Sequence, residues 1–165
     1  MHQLNNIIIR NQLHSGDPGY IIYLHGKLYK QQYNYGIEFE MYVAKGLVEF
    51  LQNYHAEKDR VWICEYQHKI IGSLVLMHRE NNEGQLRYFL IKPEFRGLGL
   101  GKKLLKLFLN FLKESNYQSC FLWTTDEQKS AAALYKNSGF ILTEEKFSNV
   151  FGKKVKEQRY DLKIK

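Results

Sequence analysis

Residues 85–125 restrict the possible folds more than any other part of the chain. QLRYFLIK is apolar and rich in β-formers, and Pro93 follows it. Then come RGLGLG, the leucine-rich KKLLKLFLNFL, and a second β-rich run, SCFLWTT. Proline cannot extend a ladder and suits a strand end. The two strands lie too far apart in sequence for a hairpin, so the unit is expected to be a parallel crossover around a helix.

The flanking elements follow from periodicity. Residues 3–9 (QLNNIII) read as a short strand. GDPG at 16–19 starts a helix, with Asp17 expected as N-cap and Pro18 at the first position. That helix carries Tyr20, Leu24 and Leu28 on one face and is broken by NYG at 34–36. A second helix over 37–54 places Phe39, Val43, Leu47, Phe50 and Leu51 on one stripe. RVWICEY (60–66) and KIIGSLVLMHR (69–79) form a hairpin across a short QHK turn, and strand 85–92 follows the turn ENNEG. A helix from Gly97 to about Glu114 buries Leu104, Leu105, Phe108, Phe111 and Leu112. After the strand 119–125 and a short helix at 130–139, FILTEEKF and KVKEQRYDLKI close the chain as strands. The order β-α-α-β-β-β-α-β-α-β-β predicts an α/β (α+β mixed) domain, a mixed sheet flanked by helices on both faces.

At 165 residues, the chain is expected to be one domain, residues 1–165. Hydrophobic content of 44% and 15% aromatics argue for a packed core rather than disorder. No apolar run reaches the roughly 18 residues of a membrane span. MHQLNNIIIRNQLH lacks a signal-peptide pattern, so a cytoplasmic location is expected. Cys64 and Cys120 sit in apolar runs without a CxxC or His/Cys cluster, which predicts reduced core thiols and no metal site. Net charge is +7, concentrated around Arg96–Lys113 and in the C-terminal tail. An anionic partner is favoured, whether nucleic acid, a membrane surface or a phosphorylated small molecule.

The glycine turn narrows that choice. A helix start leaves four N–H groups unpaired and carries roughly half a positive charge, and together these make an anion site. Bare backbone at Gly97, Gly99 and Gly101 admits a bulky anion. Arg96, Lys102 and Lys103 add charge, so a diphosphate fits better than a lone carboxylate. A P-loop is excluded because Arg96 stands where its first glycine belongs and Lys103 stands at its Ser/Thr place. The dinucleotide fingerprint is excluded because the spacing is GxGxG and the preceding strand is a middle one.

FLIKPEFRGLGLGKKLL contains R-x-x-G-x-G between strand and helix, and AAALYKNSGF follows downstream. Together they resemble the two core motifs of the GNAT acetyltransferases. The segment HSGDPGYIIYLHGKLYKQQYNYGIEFEMYV, with RVWICEY, LWTT and FGKKVKEQRYDL, resembles a subgroup found alone or fused behind a MarR-type DNA-binding domain. The likeness covers about residues 13–164. No winged-helix domain precedes residue 13, so a regulator function is not expected to carry over.

The resemblance implies a GNAT-like, mostly antiparallel sheet, acetyl-CoA as co-substrate and no metal. The backbone of Arg96, Gly97, Leu98, Gly99, Leu100 and Gly101, with Lys102, would take the pyrophosphate. Phe89 N–H would meet the thioester carbonyl and stabilise its oxyanion. Leu90 and Ile91 lie on the strand that would pair with pantetheine. Tyr135 occupies the place of the acid that protonates the leaving thiolate. The family often has asparagine where this chain has Lys129 beside the pantetheine arm. Some members have a glutamate base where this chain has Gln85, which cannot accept a proton. Glu65 is the leading substitute, with His78 and Glu83 also open. His25, Tyr29, Tyr33, Tyr35 and Glu40 are expected on the acceptor side, where aromatics and a carboxylate can hold a cationic amine.

The implied activity is transfer of an acetyl group to a primary amine, on a small molecule or a peptide, by direct attack in a ternary complex. Association with membrane or nucleic acid is not expected, and a homodimer is open. Two other readings keep part of the pattern: an acyl-CoA sensor without turnover, and a basic nucleic-acid-binding module. The module would show a steep salt dependence of binding, but the chain lacks an RNP-like strand, a KH loop or a zinc set.

Overall fold

A computed structural model describes residues 4–164 of the protein. Gln3, at the head of the expected first strand, lies outside the described residues. The elements run β1 (Ile8–Arg10), α1 (Asp17–Tyr33), α2 (Ile37–Gln52), β2 (Arg60–Tyr66), β3 (Lys69–Arg79), β4 (Glu83–Ile91), α3 (Leu100–Glu114), β5 (Ser119–Thr125), α4 (Lys129–Asn137), β6 (Ile141–Ser148) and β7 (Val155–Lys163). This is the order expected from the sequence.

The strands form one seven-stranded sheet in the order β1-β2-β3-β4-β5-β7-β6. Every neighbouring pair is antiparallel except β4 and β5. The β2–β3 hairpin closes through Gln67 and His68, both left-handed at φ 48 and 60, as a tight turn matched to strand twist requires. Its two long apolar strands occupy the centre of the sheet's first half. The helices cover both faces. On one face Leu100, Leu104, Leu105, Phe108 and Leu112 of α3 pack with Leu74, Leu86, Cys120 and Leu122. On the other, Ile21, Leu24 and Leu28 of α1 join Phe39, Val43, Leu47 and Phe50 of α2 over Ile63, Val75 and Tyr88. Among the described residues, no helix is long and apolar enough to cross a membrane.

Several element boundaries differ from expectation. Leu4–Asn6 form a 3-10 turn, and β1 is only the three residues paired with Ile63–Glu65. Gly16, at φ 94, is the cap of α1. Asp17 instead lies in the first turn, accepts the His14 N–H at 2.6 Å and pairs with Arg10 at 2.8 Å. Ile21 rather than Tyr20 is fully buried on that helix, and Leu51 on α2 is exposed. α3 begins at Leu100 because Gly97 and Gly99 take φ 77 and 85, which a right-handed helix cannot accommodate.

The largest departure from a regular sheet lies within β4. Val75 pairs with Arg87 and Ser73 with Leu90, so Tyr88 and Phe89 together oppose Leu74, and Tyr88 takes φ 51. This bulge reverses the alternation of side chains. Leu86 packs on the α3 face, whereas Tyr88 and Leu90 pack beneath α1 and α2. The parallel pairing to β5 covers only Glu83–Gln85 against Ser119–Phe121. Beyond Gln85 the two strands part, and the gap between them opens below the start of α3.

Leu104 has no exposed surface and sits at the centre of the α3-face core. Leu104→Ala is expected to destabilise the protein by about 3 kcal/mol, the usual range for a buried leucine left as a cavity. Urea unfolding reads this directly, and a loss below about 1 kcal/mol would place Leu104 at a site that collapses freely.

Candidate functional site

Two cavities meet where β4 and β5 part. The first is a groove lined by Phe89, Leu90, Ile91, Phe95, Arg96, Gly97, Leu100 and Gly101 on one wall, and by Glu127–Ala131 and Leu134 on the other, with Tyr29, Gln32 and Tyr33 at its end. The second lies on the α1/α2 side and is lined by His25, Tyr29, Phe39, Tyr42, Arg87, Tyr88, Trp123, Thr125, Tyr135 and Glu157, among others. Tyr29, Phe89 and Gln128 belong to both. The Tyr29 hydroxyl donates to Gln128 at 3.2 Å, a link from α1 to the start of α4 across the junction.

The groove ends on the glycine turn. The Arg96 N–H is already spent on Pro93 O at 3.1 Å, and Lys103 N–H bonds Gly99 O at 3.0 Å. Between them, the N–H groups of Gly97 through Lys102 have no hydrogen-bond partner among the described residues. Six consecutive free donors at a helix start form an anion cradle. A Cβ on Gly97 would meet nothing within 4 Å, so this wall is open space. The Arg96 guanidinium is anchored by Ile91 O at 2.8 Å and Gln32 at 3.1 Å.

The structure gathers most of the residues singled out in the sequence, though not all. Phe89, Leu90, Ile91, Arg96, Gly97, Leu100, Gly101 and Lys129 line the groove. Leu98, Gly99 and Lys102 do not. Lys102 points along α3 into a separate depression with Lys106 and Lys113, so only its N–H faces the turn. Glu65 lines neither cavity. Its carboxylate is bound by Arg10 at 2.7 Å, which also holds Asp17, so it serves as a clamp between β1, β2 and α1. His78 bonds the Tyr117 hydroxyl at 3.1 Å and Glu83 accepts from Ser119 at 3.1 Å, both outside the junction. Gln85 does line the second cavity, but its Oε1 accepts two bonds from Arg79 at 2.7 and 2.9 Å.

Of the acceptor-side residues, His25 and Tyr29 line the second cavity and Tyr33 lines the groove. Tyr35 is core, bonded to Thr125 Oγ1 at 2.7 Å. Glu40 folds onto α1, where a Cβ at Gly26 would lie 2.3 Å from its Oε2. Arg87, Trp123, Gln128 and Glu157 complete the lining and were not singled out from the sequence. A charge inside the apolar run QLRYFLI was the available signal for Arg87. For Glu157 there was none beyond strand alternation.

Tyr135 is buried between Phe89, Phe140 and Tyr160, with ring centroids 5.9–6.3 Å away. Burial pushes its hydroxyl above the ordinary tyrosine range, so it holds its proton until a stronger base arrives. Its hydroxyl has no hydrogen-bond partner among the described residues. His25 is also fully enclosed. Its Nδ1 lies 2.8 Å from Ile21 O, and because a carbonyl only accepts, Nδ1 carries the proton and Nε2 keeps a free lone pair. Burial, with Arg87 nearby, lowers its pKa to about 4.

The acetyltransferase (GNAT) family profile matches residues 26–140. The uncharacterized N-acetyltransferase YjgM of Escherichia coli K12 is 32% identical over 97 residues, 57% of this chain and 58% of that protein. The chain spans about half the length of the curated relatives it matches. A GNAT-family acetyltransferase structure from Staphylococcus aureus Mu50 superposes with a TM-score of 0.79 at 24% identity, covering 96% of this chain and 99% of the other. Spermidine N-acetyltransferase of Vibrio cholerae, in complex with CoA and spermine, superposes with a TM-score of 0.71 at 21% identity, covering 97% and 96%. Both share the fold, with its mostly antiparallel sheet.

The His25 shift sets an acid limit on stability. Between pH 6.5 and about 4 the unfolded chain binds a proton that the folded protein excludes. The stability contributed by neutral His25 is therefore complete above pH 6.5 and is lost as pH falls through about 4. Urea titrations at pH 7 and pH 4 should show a drop of up to about 3 kcal/mol from this group, largely absent in His25→Asn. Equal drops in both proteins would assign the acid sensitivity elsewhere.

Proposed function

We propose that this chain, which belongs to the GNAT family of acetyltransferases, moves an acetyl group from acetyl-CoA to a primary amine. Bound acetyl-CoA supplies the activated acetyl group, which the amine takes by direct attack while both substrates occupy the site. The observation carrying this reading is the row of unpartnered N–H groups from Gly97 to Lys102, at the end of a groove that joins a second, aromatic-lined cavity.

Each part of the junction has a role. The free donors at the start of α3 hold the pyrophosphate, with the Arg96 guanidinium beside them. The backbone of Phe89, Leu90 and Ile91 takes the extended pantetheine arm as a neighbouring strand would, because β5 has already parted from β4 and left that edge unpaired. Phe89, the second residue of the bulge, aims its N–H at the carbonyl oxygen and stabilises charge as it develops there. The exposed Lys129, at the start of α4, faces the same arm. The Tyr135 hydroxyl gives its proton to the departing sulfur and is restored by the proton released from the attacking nitrogen. A hydroxyl whose ionisation is suppressed by burial is suited to that task, since it arrives protonated.

Two variants test this reading. Gly97→Glu puts a carboxylate into open space at the anion cradle, and acetyl-CoA affinity by titration calorimetry should fall about 100-fold or more through like-charge repulsion. Wild-type affinity in that variant would sink the phosphate assignment. Tyr135→Phe should cut thiol release about 100-fold while leaving acetyl-CoA affinity nearly unchanged. An undiminished turnover would remove Tyr135 from the chemistry.

A further inference from the structure

The second cavity contains a partly buried charge that the acetyl-transfer reading leaves unused. Arg87 lies within β4, partly buried, and its guanidinium has no ion pair or side-chain hydrogen bond among the described residues. It rests on the rings of Tyr42 and Tyr88, at 5.1 and 4.9 Å. The nearby carboxylate Glu49 is already taken by Arg79, which also holds Gln85. The adjacent Tyr88 hydroxyl is a second donor, buried and without a partner. A buried hydroxyl left unpaired is costly unless a ligand satisfies it, and the partly buried guanidinium beside it is a second donor without an ion pair.

The fold makes room for this pair. Gly46 lies in the interior of α2, where glycine costs about 1 kcal/mol relative to alanine. A Cβ at that position would fall 2.3 Å from the Tyr88 hydroxyl and 2.7 and 2.8 Å from the two terminal nitrogens of Arg87. Any side chain at residue 46 would displace both donors. In the same cavity, Glu157 of β7 presents a carboxylate that also has no partner among the described residues and is not paired with Arg87.

Resting on the acetyltransferase reading, we infer that the acceptor is an amine that also carries a carboxylate, an amino acid or a close relative. Arg87 and the Tyr88 hydroxyl bind its carboxylate, and Glu157 holds its ammonium group and accepts the proton that group loses to become the attacking amine. The planar guanidinium fork matches a carboxylate in two-point contact. The aromatic lining from α1 and α2 suits an apolar substituent. Arg87 is thus a specificity residue for the acceptor, separate from the groups that hold the acetyl donor.

The test pairs each amino acid with the amine formed by removing its carboxylate: phenylalanine with phenethylamine, tyrosine with tyramine, tryptophan with tryptamine. Spermidine is added as a polycation. Wild-type protein should favour the carboxylated member by about 100-fold in kcat/KM, mostly through KM, and Arg87→Met should erase that ratio. Arg87→Lys should restore part of it. Arg87→Met should take up acetyl-CoA as wild type does, since Arg87 lies outside the groove, and that uptake reports that the variant is folded. A wild-type preference for spermidine or the decarboxylated amines, an Arg87→Met ratio equal to wild type, or acetyl-CoA uptake with no acetylation of any carboxylated amine would each overturn the inference. Acetyl-CoA uptake is measured in parallel by calorimetry. Its absence from folded wild-type protein would overturn the acetyltransferase reading itself, and the acceptor assignment with it.

Discussion

The ladder between β4 and β5 runs for three residues and stops at Gln85. A parallel pair of this length would ordinarily continue, since each further residue adds hydrogen bonds without new loop closure. It stops because β4 inserts an extra residue at Tyr88–Phe89, bends and leaves its neighbour. Phe89, Leu90 and Ile91 consequently present backbone to a groove instead of to β5. The glycine turn then delivers the start of α3 to the end of that groove. Without the bulge, the strand edge would be paired and the free N–H groups would face a closed sheet.

The bulge also distributes side chains between the two faces. Residues 86, 88 and 90 would share a face in a regular strand. Here Leu86 joins the α3 core, while Tyr88 and Leu90 join the α1/α2 core. Phe89 and Ile91 thereby turn toward the groove, and Arg87 toward the second cavity. One inserted residue separates the wall of the groove from the wall of the second cavity.

Charge placement around the site follows a consistent pattern of capture. Arg10 binds Asp17 and Glu65, Arg79 binds Glu49 and Gln85, and Arg159 pairs with Glu83. These pairs tie strands to helices or to one another at the margins of the sheet. The groups left over inside the junction are Arg87, Glu157 and the Tyr88 hydroxyl, none of which has a hydrogen-bond or ion-pair partner among the described residues. In an ordinary polar interior such groups are satisfied.

What the chain spelled out by itself was local. Apolar period and proline position predicted the order of every strand and helix. Three glycines between a strand and an amphipathic helix predicted an anion site, because an unpaired helix start and a bare turn are properties of consecutive residues. Tyr135 was marked by its place in ALYKNSGF. Three-dimensional packing alone decided that Glu65 is claimed by Arg10, that Lys102 turns along α3, that β4 reverses its faces at Tyr88, and that Arg87 and Glu157 share a cavity. Each of those outcomes depends on register and on partners tens of residues away. Periodicity is blind to both, since a single inserted residue flips every side chain beyond it without changing the pattern of residue types.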